Sequence, residues 1–80
     1  MNTKHHPTFA MKPVKSSQIE AVGYDAATRT LAIQFKGGAV YHYDDVPKDI
    51  HDGFEKAESV GKYFGEKIRR SHFKYRKIGG

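Results

Sequence analysis

Tyr41 and Tyr43 stand two residues apart in a short run of β-forming residues, so on a strand both phenols point to one side. Rings presented in that way are platforms on which unpaired bases stack, each contact contributing about 1–3 kcal/mol. Further along, Lys67, Arg69, Arg70, Lys74, Arg76 and Lys77 bring six cations into eleven positions, with Phe73 and Tyr75 interleaved. Cations at that density neutralise phosphates, and the interleaved rings add stacking. Ser59, Gly61 and Lys62 open a helical pattern, where backbone N–H groups beside a base can anchor a phosphate. Each pattern also has a plainer explanation: tyrosines fill cores, cations suit the negative end of a helix, and a serine at a helix start caps it.

Other chemistries lack their residues. The chain has no cysteine, which excludes disulfides, thiolate nucleophiles and cysteine-rich zinc sites. His5 and His6 fall in a polar N-terminal stretch, while His42, His51 and His72 sit on three separate elements without ligand spacing, so no metal is expected. Asp44, Asp45, Asp49 and Asp52 would suit carboxylate chemistry, yet turn formation and helix-dipole complementarity account for all four. No nucleophile with a positioned base, phosphate-cradling glycine loop or nucleotide fingerprint is present. The expectation is a binding module, not an enzyme, with no cofactor.

The net charge of +5 at pH 7 is unevenly distributed. Residues 1–15 hold three bases and no acid, residues 16–61 four bases against eight acids, and residues 62–80 seven bases against one acid. Basic character therefore belongs to the two ends, a separation that favours a polyanionic partner. The start of the chain lacks the apolar run of a secretory signal and nothing approaches a membrane span. A cytoplasmic monomer with no membrane contact is expected.

The elements that would position these residues follow from periodicity. Residues 1–16 are polar, contain Pro7 and Pro13, and read as a flexible tail. Ile19 to Tyr24 is a weak strand, Asp25 opens a turn, and Thr30 to Lys36 alternates with Leu31, Ile33 and Phe35 on one face. Gly37 and Gly38 supply the positive φ angles of a hairpin, and Ala39 to Asp44 forms a third strand. Beyond Val46 the period becomes helical: Ile50, Phe54 and Ala57 share a face from Pro47 to Glu58. Ser59 then caps a second helix carrying Val60, Tyr63, Phe64 and Ile68. Residues 73–80 are either a frayed helical extension or an extended basic-aromatic arm.

The predicted fold is α+β, a three-stranded antiparallel β-meander followed by two α-helices on one face, leaving the other face to water or a partner. Register decides where the tyrosines go. A two-residue turn at Gly37-Gly38 sets Phe35 opposite Val40 and Ile33 opposite His42, which places Tyr41 and Tyr43 on the face away from the core. A turn one residue longer reverses this and sends both into the core. The two-residue turn is preferred because it groups Val40 with apolar partners.

These residues also carry a resemblance. Ser16-Ser17, Gly23-Tyr24-Asp25, Leu31-x-Ile33-x-Phe35, Gly38, Tyr41-His-Tyr43, Val46-Pro47, Ala57-x-Ser59-x-Gly61-x-Tyr63-Phe64 and Ile68-Arg69 together resemble the KTSC domain. That short module is met at the C-terminus of some lysyl-tRNA synthetases and as free-standing proteins of bacteria and phages. The resemblance covers roughly residues 14–75, so a KTSC-like domain is expected at 17–72, between the tail at 1–16 and the basic-aromatic arm at 73–80; the longer tail and the basic stretch beyond Ile68 depart from the free-standing form. It makes RNA, tRNA among the possibilities, a reasonable partner. A protein partner on a larger complex is the alternative. Nothing resembles a synthetase's catalytic domain, so aminoacylation is not implied.

Overall fold

Residues 10–79 are described by a computed structural model of the chain. His5, His6 and the first part of the expected tail lie outside those residues. Five strands form one antiparallel sheet in the order β1 (Lys12–Pro13), β2 (Ile19–Asp25), β3 (Thr30–Phe35), β4 (Val40–Tyr43) and β5 (Tyr75–Gly79). Between β4 and β5 the chain forms α1 (Lys48–Lys56) and α2 (Val60–Phe64), the latter running on into a π turn over Gly65–Arg69.

The meander closes as its turn residues dictate. Asp25 Oδ1 accepts the Ala27 N–H at 3.1 Å and starts the β2–β3 reversal. Between β3 and β4 the chain turns through three residues, Lys36, Gly37 and Gly38. The Gly38 N–H donates to the Phe35 carbonyl and the Phe35 N–H to the Ala39 carbonyl, at 3.0 and 2.8 Å. Both glycines have positive φ, 102° and 104°, a region closed to most side chains. The preferred two-residue turn is thus one residue too short. Leu31 faces Tyr43, Ile33 faces Tyr41 and Gln34 faces Val40, which puts both tyrosines on the core side of the sheet.

That side is where the helices pack. Val22, Leu31, Ile33 and Tyr43 from the sheet meet Val46, Phe54, Val60, Phe64 and Ile68 in one cluster. Each large side chain so buried contributes roughly 1.5–3 kcal/mol. Ser59 caps α2 as its position implies, its Oγ accepting the Lys62 N–H at 3.3 Å. The π turn then closes with the Arg70 N–H donating to the Gly65 carbonyl at 3.2 Å. His72, at φ 56°, reverses the chain toward β4. The opposite side of the sheet carries Ala21, Gly23 and Ala32, small residues that are also buried.

The three predicted strands are therefore five. Lys12–Pro13, inside the stretch read as a tail, pairs with Ala21 and Val22. Tyr75–Gly79 is extended, and it is a strand of the sheet rather than a free arm: Tyr75 faces Tyr43, and the Asp44 N–H donates to the Lys74 carbonyl at 2.8 Å. Neither segment shows the two-residue apolar alternation of a half-buried strand, because both lie at the sheet's margins.

One helix contact is unusually close. A Cβ at Gly53 would overlap the Tyr63 hydroxyl and ring. That ring is held by a 2.8 Å bond from its hydroxyl to the Ile50 carbonyl and by the Phe54 ring at 4.8 Å. Glycine to alanine inside a helix ordinarily stabilises by about 1 kcal/mol. Here Gly53→Ala is expected to destabilise by about 1–3 kcal/mol, the range for overpacking. Urea denaturation checks this, and a higher midpoint than wild type would refute it.

Candidate functional site

The three-residue turn gathers the aromatic residues into one place. Phe35, Tyr41, Tyr43, Phe64, Phe73 and Tyr75 line an open groove of about 610 Å³ between the end of α2 and the β4–β5 pair, with Gln18, Arg69 and His72 among its walls. Tyr41 and Tyr43 stack at 6.5 Å between centroids, and Tyr75 leans on both, at 5.8 and 5.6 Å. Edge-to-face contacts tie the group to the core: Phe35 to Tyr41 at 5.7 Å, Phe35 to Phe64 at 5.4 Å and Tyr43 to Phe64 at 5.9 Å. Such geometry suits the ring quadrupoles.

Exposure grades along this ladder. Tyr43 is 7% exposed and forms the deepest phenol, Tyr41 is half-buried, and Tyr75 is 62% exposed at the rim. Burial, reinforced by the neighbouring phenols Tyr41 and Tyr75, pushes the Tyr43 hydroxyl up to about 12. It therefore stays a neutral donor across the physiological range. Arg69 acts on it in the opposite direction, a sign of how near that guanidinium stands to the groove.

A second hollow, of about 480 Å³, adjoins the first. Lys15, Ser16, Ser17 and Gln18 form one side, Glu58 to Lys62 the other, and Arg69 completes it. The Ser16 Oγ accepts the Gln18 and Ile19 N–H groups at 3.1 and 3.2 Å, which fixes the chain as it enters β2. A third depression is lined by Gly65, Arg69, Arg70 and His72.

The expected site residues thus divide. Tyr41, Tyr43, Arg69, Phe73 and Tyr75 come together in the groove; Ser59, Gly61 and Lys62 line the second hollow; Arg70 lines the third. Lys67 is exposed on the π turn. On β5, Lys77 faces Tyr41 and so shares its side of the sheet, whereas Arg76 faces His42 on the other side and reaches Asp44 at 3.4 Å. Lys74 is exposed. Phe35 and Phe64 were legible only as core, and Lys15 and Gln18 carried no site signal. All four reach the site through pairings distant in sequence.

Residues 15–73 match the family model of the KTSC domain. The chain is 51% identical to a protein of Tsukamurella paurometabola over 53 residues, covering 66% of this chain and 79% of that one. It is 35% identical over 70 residues to a lysine–tRNA ligase of Nostoc sp., covering 88% of this chain but 12% of the ligase. The crystal structure of a KTSC domain protein from Yersinia pestis superposes with a TM-score of 0.78 at 40% identity, covering 90% of this chain and all of that one. Among the described residues no helix is long and apolar enough to cross a membrane.

The Tyr43 phenol makes folding sensitive to alkali. Its folded pKa lies above the ordinary value near 10, so its contribution is complete below about pH 10 and is lost as pH rises toward 12. Tyrosinate absorbance followed against pH should show one phenol ionising near 12, absent from Tyr43→Phe. A full complement of tyrosines ionising near pH 10 in the folded protein would contradict the burial.

Proposed function

We propose that this chain, which belongs to the KTSC domain family, is a non-enzymatic cytoplasmic module that binds RNA. The aromatic groove with Arg69 at its wall is the observation that carries the reading. Tyr41, Phe73 and Tyr75 offer stacking surface over Tyr43 at the base; Arg69 lines the groove, Lys77 shares the face of Tyr41, Arg70 lines the third depression, and Lys67 and Lys74 are exposed, while Arg76 lies on the far face against Asp44. Ser59, Gly61 and Lys62 add a phosphate anchor at the neighbouring hollow. The likeness to part of a lysine–tRNA ligase supports RNA as partner and tRNA as one member of that class. It supports no catalytic role, since the match spans only 12% of the ligase.

A second reading, docking onto a protein, is favoured by β5 itself. It is the outer strand of the sheet, with Tyr75 and Ile78 exposed, and the free edge of such a strand can pair with a partner's backbone. One stoichiometric protein recovered from nuclease-treated lysate would favour this reading over the first.

The two readings separate at Tyr75, which is exposed and outside the core cluster. Tyr75→Ala should weaken binding of labelled tRNA or single-stranded RNA by about 1–3 kcal/mol, as for loss of one stacked base, without changing the melting temperature. Affinity should also fall steeply with salt, because released counterions drive it. No detectable binding of either RNA at low salt would end the RNA reading.

A further inference from the structure

We infer that the RNA is held as an unpaired strand, with a base in the aromatic groove and the adjoining phosphate in the second hollow among Lys15, Lys62 and Arg69. This rests on the RNA-binding reading and specifies the form of RNA that the site takes. The two hollows are contiguous: Gln18 and Arg69 line both. A ligand leaving the aromatic groove past Arg69 enters the hollow between the start of β2 and the start of α2.

The groove selects for an unpaired base because its stacking surface is recessed. Tyr43 lies at its base, 7% exposed, with Tyr41 and Tyr75 stepped above it. Duplex RNA presents phosphates and ribose hydroxyls and keeps its bases stacked inside, whereas a single strand can splay a base into such a recess. Arg69 stands at the junction, where a planar guanidinium can lie against a ring and also pair with a phosphate.

The second hollow complements a phosphate through its side chains. Three cations, Lys15, Lys62 and Arg69, stand there against one acid, Glu58. None of the three forms an ion pair among the described residues, whereas Lys12, Lys48 and Arg76 are paired with Glu55, Asp52 and Asp44. The oxygens of Ser16 and Ser59 already accept backbone N–H groups. That leaves each hydroxyl's own hydrogen to donate to a phosphate oxygen. Lys15, at the end of the expected tail, thereby gains a role that the C-terminal charge cluster had overshadowed.

The test uses a labelled ten-nucleotide RNA, alone and annealed to its complement, with wild type and with the Lys15→Ala, Lys62→Ala double variant. Both lysines are exposed, so the variant should keep the wild-type melting temperature. Wild type should bind the single strand at least about tenfold tighter than the duplex. In the double variant the slope of log affinity against log salt should become shallower by about 0.7 for each phosphate that is no longer neutralised. Quenching of tyrosine fluorescence at saturation should stay unchanged, because the groove is intact. Equal affinity for duplex and single strand, or an unchanged salt slope, would overturn this path while leaving RNA binding in place. A wild-type protein that binds neither form at low salt would remove the RNA reading itself, and this path with it.

Discussion

The three-residue reversal at Lys36, Gly37 and Gly38 sets which side of the sheet every residue of β4 faces. Side chains on a strand alternate, so one residue more or less in the turn exchanges the two faces completely. With the longer turn, Tyr41 and Tyr43 stand opposite Ile33 and Leu31, Tyr41 against Phe35 and Tyr43 against Phe64 of α2. The positive φ of both glycines makes that turn accessible. β5 then adds to the outer side of β4, setting Tyr75 against Tyr43. The groove is the space left where the helix ends and the sheet continues.

From that constraint follows a division of labour along the aromatic ladder. Tyr43 belongs to the core and its hydroxyl remains protonated, so its role is to give the groove a rigid base. Tyr75 buries little and adds little to the fold, which leaves its ring available to a ligand. Tyr41, half-buried between them, joins the two. A recess built on packed rings presents its surface without ordering it at the moment of binding, and that preorganisation spares part of the entropic cost of association.

The sequence disclosed what depends on local pattern. The alternation of Leu31, Ile33 and Phe35, the turn at Asp25, the apolar face of α1 and the cap at Ser59 all follow from neighbours a few residues apart. The turn length did not, because two consecutive glycines serve a two-residue or a three-residue reversal equally well. Val40 was a misleading guide: it faces Gln34 and is only half-buried. β1 is too short to show a period. In β5 the residues on the core side are Tyr75 and Lys77, beyond the reach of the helices, so no apolar alternation marks it as a strand. The site was legible in its rings and cations. Its assembly with Lys15, Gln18, Phe35 and Phe64 was not, since those residues come together from segments spread along the chain.

Making the C-terminal segment a strand also changes what its charges can do. As a free arm, Lys74, Arg76 and Lys77 could all turn toward one ligand. As β5, the segment alternates: Lys77 shares the face of Tyr41, while Arg76 lies on the far face beside His42 and against Asp44. An exposed pair such as Arg76–Asp44 adds little stability, but it directs that guanidinium away from the groove. Arg69 is fixed by the π turn at the junction of the hollows, and Lys15 arrives from the other end of the chain. The electrostatic footprint of the groove is therefore smaller than the number of basic residues suggests and is drawn from three separate segments. A polyanion following it must run across the sheet's edge toward the start of α2, and would not follow the C-terminal strand.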